Sequence, residues 1–231
     1  MHRGLFLVSR FLFPRWSNGL LPLIVVVGGI MPVYVVYFVA FGFSPKTLEV
    51  GYQPVQPVPF SHALHAGELG MDCRYCHNTV ERAGHAAIPP TQTCMNCHTQ
   101  IKPESPKLTE IHASYESGLP VEWIKVHHVA DYAYFNHSAH VNRGVGCVSC
   151  HGRIDQMEVV YQAMPMSMGW CLDCHRNPEP NLRPVSQLTN MAWGLEPDLT
   201  EQDLQMIAGE RAKVLDLYHI SPSENCSTCH R

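Results

Sequence analysis

Charged residues are scarce in this sequence of 231 residues. Asp, Glu, Lys and Arg together make up 16% of the chain, and the formal net charge is −4. Nucleic-acid-binding domains need a basic face, so this balance argues against a nucleic-acid partner. Uninterrupted helical segments are also few, because 18 prolines and 16 glycines are spread along the chain. We therefore expect a loop-rich fold with a few short helices.

Charge is missing altogether from one stretch near the N-terminus. No charged residue occurs in 16–45, and the apolar segment 20–43 is long enough to span a hydrocarbon core of about 30 Å. The flanking charges are Arg3, Arg10 and Arg15 before the stretch and Lys46 and Glu49 after it. Because positive charge accumulates on the cytoplasmic side, the asymmetry predicts an N-terminus in the cytoplasm and a chain that continues outside the membrane.

An uncleaved membrane anchor fits this stretch better than a cleaved secretion signal does. A signal has an apolar region of about 7–15 residues that ends at a small-x-small site. This apolar segment is longer, and Ala40-Phe-Gly-Phe-Ser44 lacks an Ala-x-Ala pattern. We predict a cytoplasmic N-terminus at 1–18, a transmembrane anchor at 19–43, a Pro-rich linker at 44–59 and an outer domain at 60–231.

No cysteine of this chain lies outside one repeated motif. All ten cysteines occur in Cys-x-x-Cys-His, which appears five times. The five motifs are Cys73-Arg-Tyr-Cys76-His77, Cys94-Met-Asn-Cys97-His98, Cys147-Val-Ser-Cys150-His151, Cys171-Leu-Asp-Cys174-His175 and Cys226-Ser-Thr-Cys229-His230. This motif attaches a c-type haem: the two thiols form thioethers with the porphyrin, and the histidine binds the iron. The sequence therefore predicts five covalently bound haem c groups and one-electron chemistry.

Other uses of a Cys-x-x-Cys pair fit less well. A zinc site combines such pairs without an obligatory histidine after each, and a disulfide framework shows irregular spacings. Here a histidine follows every pair, and no cysteine is left over. We therefore predict a multihaem cytochrome c fold, with few short helices and a core packed with haem. Haem attachment takes place outside the inner membrane, which agrees with the predicted anchor.

An internal repeat supplies candidate ligands for the second face of each iron. Phe60-Ser-His62-Ala-Leu-His65 and Phe135-Asn-His137-Ser-Ala-His140 have the same pattern, and each precedes two haem motifs. Histidines at i and i+3 of a helix share a face, so two imidazoles can bind two different haems. We expect His62 and His137 to bind the first haem of their own units, and His65 and His140 to reach neighbouring haems. The predicted haem pairs are 60–98 and 135–175, with a fifth haem in 200–231.

One distal ligand stays open in this scheme. His127 lies in the segment that leads into the second unit and is the preferred candidate. The other candidates are His85, His112, His128, His219, Met164, Met166, Met168 and Met191. A methionine ligand would raise the potential of its haem, but each of these methionines is better explained by packing against a porphyrin. Before the fifth motif, Thr200 and Asp203 predict a capped helix.

The chain resembles a known family in these features taken together. The two Phe-x-His-x-x-His units are similar to those of multihaem class III or c7-type cytochromes. The anchor, the five motifs, Tyr134-Phe-Asn-His-Ser-Ala-His-Val141, Met164-Pro-Met-Ser-Met-Gly-Trp-Cys-Leu-Asp-Cys-His175 and the ending Cys226-Ser-Thr-Cys-His-Arg231 resemble the pentahaem subunit of bacterial alternative complex III.

That resemblance implies an electron-relay subunit of a quinol-oxidising complex in the bacterial inner membrane, with its haem domain on the periplasmic side. Quinol oxidation would belong to polytopic membrane partners, and a subunit of the iron–sulfur/molybdopterin-like type would lie between them and this chain. Electrons would leave to a monohaem cytochrome c or a soluble periplasmic carrier. The resemblance also favours His127 as the fifth distal ligand, and it implies no catalytic residue in this chain.

Two other functions compete with the relay. An anchored quinol dehydrogenase that feeds periplasmic reductases would need a quinol pocket beside the first haem, and 44–59 contains no pair of ionisable residues that suggests one. A catalytic multihaem reductase would need an open iron site with acid–base groups nearby. The surplus of histidines over haems does not require an open iron.

Overall fold

The computed structural model describes residues 14–43 and 45–231, which form two compact units. The first unit ends at Thr47, and the second begins at Leu48. Of the predicted cytoplasmic segment 1–18, residues 1–13 lie outside the described residues.

Helix α1 (Leu20–Gly42) dominates the first unit and follows a 3-10 turn at Arg15–Gly19. Its side chains are exposed along its whole length, and Pro32 lies inside it. The stretch Trp16–Gly42 is long and apolar enough to cross a membrane. The prediction of one N-terminal helix that could span a membrane is confirmed.

Short helices joined by loops and 3-10 turns make up the second unit. These helices are α2 (Cys73–Cys76), α3 (Thr91–His98), α4 (Thr109–Ser117), α5 (His137–Val141), α6 (Cys147–His151), α7 (Met168–Arg176), α8 (Glu201–Leu217) and α9 (Cys226–Cys229). A π-helical turn at Ala63–Glu68 precedes α2. Within 45–231 no strand forms, and Val145 and Leu182 make a single isolated bridge. The predicted loop-rich, short-helix fold class is confirmed.

The longest helix of this unit, α8, begins at the predicted cap. The Thr200 hydroxyl accepts a hydrogen bond from the Asp203 amide, and the Asp203 carboxylate accepts one from the Thr200 amide. Two otherwise unpaired amides of the first turn are thereby satisfied. Ile207 and Val214 form the buried face of the helix. The capping box predicted from the sequence is confirmed.

The segment predicted as a Pro-rich linker, 44–59, lies largely within the second unit. The Gly51 amide donates a hydrogen bond to the Gln162 carbonyl over 2.8 Å, and the Gln162 amide donates one to the Tyr52 carbonyl over 3.1 Å. The Gln56 side chain makes two hydrogen bonds to the backbone of Ile124. Val58 is 4% exposed and packs in a cluster with Met95 and Ile111. Residues from Leu48 onward therefore pack within the second unit, and the role of 44–59 as a linker stays a prediction.

Candidate haem-attachment sites

Every Cys-x-x-Cys-His motif forms a single helical turn. Helix α6 consists of the whole motif, and α2 and α9 consist of its first four residues, with the histidine just after the helix. Helices α3 and α7 contain the motif at their C-terminal ends. Cysteines three residues apart share one face of such a turn, and the histidine follows on the same side. None of the ten cysteines is in a disulfide. The thiol pairs are therefore presented together, as attachment to one porphyrin requires.

Polar side chains start several of these turns. Asp72 accepts a hydrogen bond from the Arg74 amide, Ser167 from the Trp170 amide and Asn225 from the Ser227 amide. Capping of this kind satisfies amides that have no partner within so short a helix. Sequence reasoning did not single out these three residues, although Asp, Ser and Asn before a motif are an ordinary capping signal.

Four of the five motif histidines have one fixed ring orientation. The Nδ1–H group of His77 donates to the Ala87 carbonyl over 2.8 Å, and the Nδ1–H group of His98 donates to the Ile101 carbonyl over 2.9 Å. His175 donates to Ser223 over 2.7 Å, and His230 donates to Tyr132 over 3.1 Å. A carbonyl only accepts, so the proton is on Nδ1 and the Nε2 lone pair is available to iron.

The third motif has a different partner. Nδ1 of His151 lies 3.3 Å from Nε2 of His127, with the two ring centroids 4.4 Å apart. His127 was the preferred distal ligand from sequence, without a haem assigned to it. The structure places it beside the third motif, whereas His230 of the fifth motif lies beside Tyr132.

The two Phe-x-His-x-x-His elements have the same local geometry. The ring centroid of Phe60 lies 4.8 Å from that of His62, with an angle of 85° between the ring planes, and 4.4 Å from that of His65, with an angle of 24°. The corresponding centroid distances and interplanar angles of Phe135 are 4.8 Å and 86° to His137, and 4.6 Å and 26° to His140. In each element the phenyl ring stacks on the second imidazole and meets the first edge-on. The two elements therefore aim their histidines in the same way.

Two pairs of rings have the separation that one iron between them would need. The ring centroids of His65 and His98 are 6.2 Å apart, and those of His140 and His175 are also 6.2 Å apart. A ring nitrogen lies about 1 Å from its centroid and about 2 Å from a bound first-row metal, so two rings on one metal lie about 6 Å apart. Nδ1 of His65 and of His140 donates to a backbone carbonyl, leaving Nε2 free. These residues fit a haem iron with histidine on both faces.

His62 and His137 lie near the first and third motif histidines, His77 and His151. Nδ1 of His137 donates to the Gly84 carbonyl over 2.9 Å, whereas Nδ1 of His62 is buried without a hydrogen-bond partner. Burial lowers the pKa of His62 and of His127 to about 4 and that of His151 to about 3. An imidazole that is neutral at pH 7 keeps the lone pair that metal binding uses.

The remaining candidates for a distal ligand are in other environments. His85, His128 and His219 are exposed, and Nε2 of His128 contacts the Lys125 carbonyl. Nε2 of His112 contacts the Pro103 carbonyl over 2.9 Å. Of the four methionines, Met191 is buried in the protein core, Met168 is largely exposed, and Met164 and Met166 are half-buried.

Comparison with known proteins identifies the family of this chain. The family described as cytochrome c7 and related cytochrome c matches residues 58–113 and 133–231, which leaves the segment around His127 outside the match. The multiheme cytochrome c subunit of a menaquinone reductase from Nitratidesulfovibrio vulgaris is 28% identical over 209 residues, or 88% of this chain and 91% of the relative. The chain belongs to the family of cytochrome c7 and related cytochromes c, whose members carry covalently bound haem c.

Proposed function

We propose that this chain is a membrane-anchored pentahaem cytochrome c that carries electrons between the quinone pool and a partner on the periplasmic side of the inner membrane. The observation that carries the proposal is the pair of 6.2 Å gaps, His65 to His98 and His140 to His175. Gaps of this size suit iron with two imidazole ligands, which changes its charge by one electron and needs no open coordination site.

The residues would divide between two tasks. The ten motif cysteines would hold the porphyrins, and the motif histidines His77, His98, His151, His175 and His230 would bind iron from one face. The distal ligands would be His62, His65, His137 and His140, with His127 as the fifth candidate. The haem supplies the reversible one-electron change of iron when bound. Backbone carbonyls accept from Nδ1 of seven of these imidazoles and hold them in the orientation that binds iron; the seven are His65, His77, His98, His137, His140, His175 and His230.

The distal ligands of the first and third haems are less narrowly assigned. His62, His127 and His137 lie among the first and third motif histidines, which gives three candidate rings for two irons. The direct contact of His127 with His151 favours His127 as part of the surroundings of the third haem.

The surrounding complex is proposed from likeness. The relative is named as a subunit of a menaquinone reductase, and the sequence pattern resembles the pentahaem subunit of alternative complex III. Both likenesses support membrane partners that handle the quinone. The resemblance to alternative complex III further implies an iron–sulfur/molybdopterin-like subunit between them and this chain. A monohaem cytochrome c or a soluble periplasmic carrier would exchange electrons with the other end.

Two directions of electron flow are compatible with these residues. The alternative complex III assignment implies quinol oxidation, with electrons leaving to the periplasmic carrier. The named activity of the relative favours the reverse direction, in which periplasmic electrons reduce menaquinone. A relay with two imidazole ligands on each iron serves both directions, because the driving force is set by the partners.

Purified chain and purified complex together test the proposal. Mass spectrometry should show five covalently bound haems, and menaquinol should reduce these haems rapidly in the complex but not in the chain alone. Rapid reduction of the lone chain by quinol would instead support the self-sufficient quinol dehydrogenase. Fewer than five haems would show that one motif is not used.

A further inference from the structure

The two repeat units contact each other through equivalent residues. The Ser138 amide donates to the Ala83 carbonyl over 3.2 Å, and the Ala63 amide donates to the Met157 carbonyl over 3.0 Å. Ser138 and Ala63 follow the phenylalanine of their elements by three residues, and Ala83 and Met157 follow the first motif histidine of their units by six. Reciprocal contacts between equivalent positions are typical of an approximate two-fold relation.

The first motifs of the two repeat units lie next to each other at this contact. The side chains of Cys73 and Cys147, the first cysteine of each first motif, lie close enough to interact with each other. A second connection passes through 188–189: the Thr189 hydroxyl donates to the Asp72 carboxylate over 3.0 Å, and the Cys147 amide donates to the Leu188 carbonyl over 3.3 Å. The first and third motifs of the chain are therefore direct neighbours.

The second and fourth motifs attach to this central pair from outside. In the first unit the Asn96 amide group donates to the Tyr75 hydroxyl over 3.2 Å, joining the middle residues of the second and first motifs. In the second unit Asn181 connects the third and fourth motifs. Its carbonyl accepts from the Gly146 amide over 3.2 Å, and its side chain contacts the Cys174 sulfur at 3.5 Å.

The fifth motif continues from the fourth. Nδ1 of His175 donates to the Ser223 carbonyl over 2.7 Å, and Arg176 forms an ion pair with Glu224 at 2.9 Å. Ser223 and Glu224 precede the first cysteine of the fifth motif by three and two residues. Among the described residues, no hydrogen bond joins the second motif directly to the third.

We propose that the five attachment motifs lie in the spatial order second, first, third, fourth, fifth, so that electrons enter and leave at the second and fifth motifs. This inference rests on the proposed relay function. It assigns the two ends to motifs with exposed cysteines, Cys97 and Cys226. The first motif becomes an internal position, although it comes first along the chain and nearest in sequence to the membrane anchor.

Two variants with one haem fewer distinguish this order from the order along the chain. Cys73→Ala with Cys76→Ala removes the first site, and Cys94→Ala with Cys97→Ala removes the second. A ruthenium photosensitiser on Ser221→Cys, near the fifth motif, would deliver electrons by flash photoreduction without quinol. Each variant should first be shown to hold four haems.

The spatial order predicts opposite results for the two variants. Loss of the second site removes an end, so the four remaining haems should be reduced at the wild-type rate. Loss of the first site isolates the second haem, so one quarter of the haem should be reduced at least tenfold more slowly. The proposal would be overturned if one quarter of the haem were reduced slowly in the variant that lacks the second site and no slow fraction appeared in the variant that lacks the first site.

A cross-linking measurement covers the case in which these variants do not fold. It uses the intact chain with p-benzoylphenylalanine in place of Thr189 or of Tyr75. The order predicts cross-links from position 189 to the peptide that contains Asp72, and from position 75 to the peptide that contains Asn96. A cross-link from position 189 to the second motif would contradict it. Neither measurement uses quinol, so failure of the proposed function would show separately, as an unreduced complex.

Discussion

Removal of the His140 imidazole is the sharpest test of distal ligation. The ring centroid of His140 lies 6.2 Å from that of His175, and Phe135 stacks on its face at 4.6 Å. In His140→Ala the iron of the fourth motif would keep only the ligand supplied by His175. A haem with one imidazole changes from low-spin to high-spin, so about one fifth of the total haem should change its signal.

Low-temperature electron paramagnetic resonance with quantitation of spins measures that fraction. His128→Ala is the matched control, because His128 is exposed and its Nε2 contacts a carbonyl three residues away in sequence. The control should remain low-spin throughout. His140→Met should also remain low-spin, with the potential of one haem raised, because a thioether stabilises the reduced iron.

Two results would refute the reasoning. A fully low-spin His140→Ala protein with five haems would show that another group binds the fourth iron. An equal high-spin fraction in His128→Ala would show that the signal reports general damage rather than loss of a ligand.

Three further predictions concern stability, measured by thermal and denaturant unfolding of the haem-loaded chain. Asp72→Ala should lower the free energy of unfolding by about 1 kcal/mol at pH 7, because it removes a helix cap and the hydrogen bond to Thr189. Arg74 lowers the pKa of Asp72 from 3.8 to about 2, so this advantage should be present above pH 3.8 and should disappear as the pH falls towards 2. Thr200→Ala should cost about 1 kcal/mol, and Thr200→Ser much less, because serine restores the cap. Leu182→Ala should cost about 2–5 kcal/mol, because Leu182 is 1% exposed and its loss leaves a cavity.

Local features of this chain followed from its sequence. The cap of α8 was predictable because Thr200 and Asp203 satisfy each other's amides within one turn. The apolar helix near the N-terminus followed from length and absence of charge alone. The i, i+3 argument for His62 and His65 assumed a regular helix, whereas His65 lies in a π-helical turn of which His62 is the N-terminal cap residue.

Contacts between distant segments could not be predicted in the same way. Nothing near Asp72 in sequence points to Thr189, because their bond joins residues that are 117 positions apart. The prolines of 44–59 predicted an extended segment. They did not indicate that its backbone would form hydrogen bonds with Gln162, which is more than 100 positions away. The position of His127 depended on which motif packs beside it, and the spacing of motifs along the chain does not determine that.

The repeat explains why the spatial order of the motifs departs from their order in sequence. Two copies of a two-site unit that pack through equivalent surfaces must bring equivalent sites together, as Cys73 and Cys147 show. The other two sites of the copies then lie at opposite ends, whatever the chain order. The fifth motif extends only one of these ends, through His175 and Ser223, so the two ends become different. The second motif, with its exposed Cys97, then forms one end of the order, and the fifth motif, with its exposed Cys226, forms the other.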